Sequence, residues 1–178
     1  MGSKVPSDLI ASDLILLLLR AAGGMPGTEG EIRGITRLEK LLFLATQEEG
    51  IDKVVEDPFE FKPYHYGPYS KEIYEAVELL EELGLLIDDR YLDDDKLDEA
   101  EELALAVADE EGVERRFMLT QDGEKVADLL ATRRPEVLDK LSDVKRRYGS
   151  LGLRRLIRYV YSKYPQYAEQ SIIRESMT

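Results

Sequence analysis

The chain has no cysteine, no tryptophan and no asparagine, and a single histidine, among its 178 residues. Without cysteine there is no disulfide scaffold, no thiol nucleophile, no zinc finger and no iron–sulfur cluster. One histidine excludes a histidine-rich metal site and a pair of histidines sharing acid and base roles within one chain. Long apolar runs are missing too. The run Leu14–Leu19 is far short of the roughly 20 residues that a membrane-spanning helix needs. It also lacks the basic start and the small-residue cleavage pattern of a signal peptide. It reads as a buried helix, and the expected location is the cytoplasm. A phosphate-binding glycine loop, a G-x-S-x-G elbow and an H-E-x-x-H helix are all absent. Asp93, Asp95 and Asp98 lack the central glycine and the terminal glutamate of a calcium loop. The expectation is a non-enzymatic protein with no cofactor and no metal.

What is present is a foldable, unevenly charged chain. Hydrophobic residues make up 43% and charged residues 34%, enough of each for a packed core under a solvated surface. The net charge of −13 is segregated along the sequence. Residues 88–114 hold 13 acids and two bases, whereas residues 115–163 hold 13 bases and six acids. The acidic segment is either a solvated insertion or a shield that competes for the basic surface following it.

Periodicity predicts a central helix over 7–22, capped by Ser7 or Asp8, and a break at Gly23-Gly24-Met25-Pro26-Gly27. Thr36-Arg37-Leu38-Glu39 matches a capping box for a helix ending near Gly50. Phe59, Phe61 and Tyr64 suggest a short extended segment, and Gly67-Pro68 a turn. Ser70 is placed to cap a helix to Leu83 with Ile73, Ala76, Val77, Leu80 and Leu83 inward. Gly84 suits the left-handed cap, with Leu85 folding back on Leu80. Leu85-Leu86-Ile87 and Arg115–Leu119 read as paired strands around the acidic segment, which holds a possible short helix near Leu97 to Val107. Helices then follow from Thr120, from Pro135 and over Leu151–Tyr161, and residues 164–178 form a tail that either docks or frays.

This is the order of a winged helix: a mainly α (α+β) fold with a two-stranded wing and additional C-terminal helices. The expected division is a winged-helix-like domain over 1–132, its acidic wing insertion at about 88–114, and a helical extension over 133–178. L-x-x-L-G-L-L at Leu80–Leu86 and F-M-L-T-x-x-G at Phe117–Gly123 are the junctions such wings use. G-I-T-R-L-E-K-L-L-F-L-A at Gly34–Ala45 and Y-H-Y-G-P-Y-S at Tyr64–Ser70 narrow the comparison. Over about residues 8–90 the chain resembles the Panacea, or SocA-like antitoxin, domain family. The resemblance implies an antitoxin-like or adaptor-like role, with a toxin or a protease-system component as protein partner.

Two candidate surfaces follow. The loop residues Tyr64, His65, Tyr66 and Tyr69 are candidates for partner binding, because clustered rings with polar edges suit recognition. Arg115, Arg116, Arg146, Arg147, Arg154, Arg155 and Arg158, interleaved with tyrosines, are candidates for an alternative nucleic-acid face. The usual winged-helix docking mode is disfavoured, since the third helix exposes Glu72, Glu75, Glu78 and Glu82 with Lys71 as its only base. A homodimer is expected through the last helix and the tail.

Overall fold

The structure, a computed structural model, describes residues 7–24, 30–91 and 114–177. The described residues are mainly helical, with two small sheets among them. Helix α1 (Ala11–Arg20) buries every residue from Leu14 to Leu19, so it is surrounded rather than amphipathic. Helix α2 (Ile35–Glu49) is buried continuously from Ile35 to Ala45. These two helices form the middle of the molecule. Helix α3 (Lys71–Glu82) packs on α1 through Ile73, Ala76, Val77 and Leu80. Its end is a Schellman motif: Gly84, at φ +70°, donates to the Glu81 carbonyl, and Leu85 donates to the Leu80 carbonyl at 2.9 Å. Among the described residues no helix is long and apolar enough to cross a membrane.

Strands β1 (Glu31–Arg33), β4 (Leu86–Tyr91) and β5 (Glu114–Leu119) form an antiparallel sheet in the order β1-β5-β4. Together with α1, α2 and α3 this is the winged-helix arrangement, with β4 and β5 as the wing. Strands β2 (Lys62–Tyr64) and β3 (Gly67–Tyr69) make a separate hairpin between α2 and α3. Ile32, Phe117 and Leu86 are buried on the inner side of the three-stranded sheet. Because strand side chains alternate, Glu31, Arg116 and Asp89 lie on the other side, where Arg116 bridges to Asp89 and approaches Glu31.

Helices α4 (Gln121–Arg133), α5 (Pro135–Tyr148) and α6 (Leu153–Lys163) complete the molecule, with a short last turn, α7 (Arg174–Met177). Thr120 caps α4 by accepting the Gly123 N–H at 2.9 Å. Their buried residues join the same apolar cluster as α1 and α2. Lys145 of α5 ties the two halves together. Its ammonium, 1% exposed, donates to the carbonyls of Leu18, Leu19 and Ala21 at 2.9–3.1 Å. A cation there satisfies the open end of α1, and burial pushes its pKa down to about 8.

Several local expectations are corrected. The first helix starts at Ala11, and Asp13 accepts the Ile10 N–H, while Ser7 bonds the Val54 carbonyl and Asp8 pairs with Arg134. No capping box forms at Thr36; the helix starts at Ile35 after Gly34, and Glu39 bonds elsewhere. Ser70 precedes α3 without a side-chain cap, its hydroxyl bonding Glu72 instead. Leu83 is 60% exposed rather than inward. The strands β4 and β5 absorb residues 88–91 and 114, and the expected helix near Leu97 to Val107 lies outside the described residues. The tail docks: Ala168 and Met177 are buried, and Tyr164 and Tyr167 meet the ring of Phe43 edge-on. The apolar face of α6, offered as a dimer interface, is buried inside the chain through Leu153, Leu156, Ile157, Val160 and Tyr161.

Candidate interaction site

Strands β2 and β3 pair Tyr64 with Gly67 across a two-residue turn at His65-Tyr66, not at Gly67-Pro68 as expected, since both of those residues lie in β3. Gly67 has φ +94°, and a Cβ there would stand 2.7 Å from Cε1 of Tyr161. Conformation and space therefore both demand glycine. Gly67→Ala should destabilise the chain by about 1–3 kcal/mol, read as a lower urea midpoint. An unchanged midpoint would contradict the tight seating of the hairpin on Tyr161.

The hairpin is held from below by two charged residues. Lys40 Nζ donates to the Pro68 carbonyl at 2.8 Å and to Glu39 Oε2 at 3.2 Å. Glu39 Oε1 accepts the Ser70 N–H at 2.9 Å. Their side chains are 1% and 5% exposed, respectively. Burial pushes the Glu39 carboxyl up and the Lys40 ammonium down, and each charge partly offsets the shift of the other. The L-E-K-L-L segment and the G-P-Y-S turn are thus one unit, joined by a buried ion pair.

Above this support lies a row of rings. His65 stacks on Tyr64 with centroids 4.1 Å apart and 13° between planes. Tyr64 meets Tyr69 at 4.9 Å, and Tyr69 meets Tyr74 of α3 at 5.5 Å. Lys62 Nζ sits 5.9 Å from the Tyr69 centroid. Tyr64 and His65 are exposed, while Tyr66, Tyr69 and Tyr74 are half-buried. Burial, then the charge of Glu39, raises the Tyr69 phenol above its ordinary value, so it stays a hydrogen-bond donor. The tail adds an apolar residue here: the N–H of Ile172 donates to the His65 carbonyl at 3.0 Å, and its side chain is exposed. Aromatic faces, hydroxyl edges and an aliphatic neighbour on a fixed backbone make a surface suited to protein recognition.

The seven arginines do not form one face. Arg115 is buried on the inner side of the sheet, over the Phe117 ring, and grips Asp88 through two nitrogens at 2.7 and 3.2 Å. Arg116 is on the outer side with Asp89. Arg146 pairs with Asp143, and Arg147 with Glu48 and Glu49. Arg154 is half-buried. Arg155 and Arg158 are exposed on α6, Arg158 donating to the Met177 carbonyl.

Sequence reasoning missed a second polar cluster, at the end of α2. Glu48 accepts the hydroxyls of Tyr148 and Tyr159, the Lys163 ammonium at 3.1 Å and, more weakly, the Tyr164 hydroxyl at 3.4 Å. Burial raises its pKa, but the two closer hydroxyls and the ammonium outweigh that and hold the carboxyl below its ordinary value. The cluster fastens α2 to α5 and α6. It also explains where the tyrosines interleaved with arginine go: Tyr148, Tyr159 and Tyr164 turn to one carboxylate, and Tyr161 donates to Ser171 instead. The chain matches no protein-family model and no curated protein.

Proposed function

We propose that this chain is a non-catalytic protein-interaction module, antitoxin-like or adaptor-like, that recognises a protein partner with the tip of its β2–β3 hairpin. The observation that carries this reading is the exposed Tyr64–His65 stack held in place by a buried Glu39–Lys40 pair. Burying two charges is expensive unless they are mutually satisfied, and here their bonds fix the backbone of an exposed aromatic turn. The pre-ordered tip loses little entropy on binding. The antitoxin-like, adaptor-like form of the proposal rests on the resemblance carried by Gly34–Ala45 and Tyr64–Ser70.

The second reading is a DNA-binding regulator. It is favoured only by α6, which has Arg154, Arg155, Arg158 and Lys163 and no acid. Against it stand the glutamates of α3 and the engagement of Arg115, Arg116, Arg146 and Arg147 by carboxylates.

The test is site-specific photocrosslinking in the native cell, with a photoreactive phenylalanine analogue replacing Tyr64 or His65 in turn. A discrete protein adduct is expected at both positions and not at Leu129, a control on α4 that is more exposed than Tyr64. The same adducts at all three positions, or crosslinks to nucleic acid alone, would refute the reading.

A further inference from the structure

Among the described residues, helix α3 has a flank that none of the others covers and that the hairpin does not use. Its buried side is Ile73, Ala76, Val77 and Leu80. Tyr74, in the aromatic row, borders one edge of that side. On the opposite flank Leu79 and Leu83 are 46% and 60% exposed. They are four residues apart, so they stand one above the other on the helix surface. Glu72, Glu75 and Glu82 are exposed on the same side of the helix, while Glu78 and Glu81 are exposed round toward Tyr74. Its one cation, Lys71, is bound to Glu75 at 2.9 Å.

Two apolar anchors beside a row of carboxylates define the chemistry of an occupant. Phosphate-rich surfaces, whether nucleic acid or anionic lipid, are repelled by five carboxylates. A ridge of two leucines at helical spacing fits the groove between ridges of another helix. We propose that the Leu79–Leu83 flank of α3 docks a basic amphipathic helix of a protein partner, its apolar side on the leucines and its lysines or arginines on Glu72, Glu75 and Glu82. This goes beyond the hairpin reading, and it stands or falls separately, because neither leucine belongs to the aromatic row.

The test uses the full chain and a labelled synthetic peptide of lysine and leucine, about 18 residues long, with leucines at helical i, i+3, i+4, i+7 spacing. A scrambled peptide of identical composition serves as its control. Fluorescence anisotropy at about 0.15 M salt should show binding of the helical peptide and much weaker binding of the scrambled one. Leu79→Gln with Leu83→Gln should weaken binding about tenfold or more. Glu75→Gln with Glu82→Gln should weaken it and flatten its salt dependence. Leu129→Gln, which removes another exposed leucine, should change nothing. The proposal is overturned by equal binding of both peptides, by no binding, or by equal losses from the α3 and Leu129 variants. It is also overturned if light scattering finds a dimer that the Leu79/Leu83 variant turns into a monomer, since the face is then a contact between copies.

Discussion

Lys40→Met will destabilise the chain by about 3–5 kcal/mol at neutral pH, because it leaves a charged carboxylate buried without its partner. Glu39 would keep one bond, from the Ser70 N–H, and lose the ammonium at 3.2 Å. The Pro68 carbonyl would lose its donor as well. The size of the effect comes from the orphaned charge more than from the lost bonds. Glu39→Gln/Lys40→Met should therefore recover a large part of the stability, since it removes both charges at once. The pH response has a definite sign. A carboxyl whose folded-state pKa lies above its unfolded value binds protons more tightly in the fold, so the single variant should gain stability as pH falls from 7 toward the unfolded-state pKa of Glu39. Urea titrations at neutral and mildly acidic pH read both effects. A single variant as stable as the parent would mean that the buried pair does not hold the hairpin.

Glu48→Ala is expected to cost about 2–4 kcal/mol, because it strips one acceptor from several converging donors. The hydroxyls of Tyr148 and Tyr159 and the Lys163 ammonium all bond this one carboxylate. The acid dependence runs opposite to that of the Lys40 variant. The Glu48 carboxyl is held below its ordinary value of 4.5. Its contribution is therefore complete above the unfolded-state pKa and is lost as pH falls through the lower folded-state value. Thermal midpoints should drop on acidification below that ordinary value, and the drop should shrink in Glu48→Gln, which keeps an acceptor but does not titrate. An alanine variant with an unchanged midpoint would show that the Glu48 cluster does not hold α2 to α5 and α6.

The fold was legible where local chemistry decides the structure. The Ile73, Val77 and Leu80 spacing, the Gly84 end with its Leu85-to-Leu80 bond and the Thr120 start of a helix are all rules satisfied within one or two helical turns of chain, whereas the turn expected at Gly67-Pro68 falls at His65-Tyr66, because Gly67 and Pro68 pair with β2. The illegible parts depend on distant partners. Glu39 looked like a capping-box acid because nothing local reveals that its acceptor oxygen meets Ser70, 31 residues on. Strand β1 has only three residues, and it exists because Ile32 pairs with Phe117 across the sheet. Arg115 and Arg116 are neighbours in sequence, yet strand alternation sends one inward to Asp88 and the other outward to Asp89. A run of basic letters therefore suggested a single face that the backbone divides. The aromatic tip itself was visible in Y-H-Y-G-P-Y-S, while Tyr74 and Ile172 join it only through the packing of α3 and the docked tail.

The central claim is that the hairpin tip recognises a protein while the structure beneath it only holds it in place. The most direct measurement is the affinity of Tyr64→Ala/His65→Ala for the protein crosslinked at the tip, taken by calorimetry beside the parent chain. Two exposed rings contribute little to folding but much to a buried contact, so affinity should fall about 100-fold or more while the thermal midpoint stays where it was. An unchanged affinity, or a loss matched by a comparable loss of stability, would contradict the account.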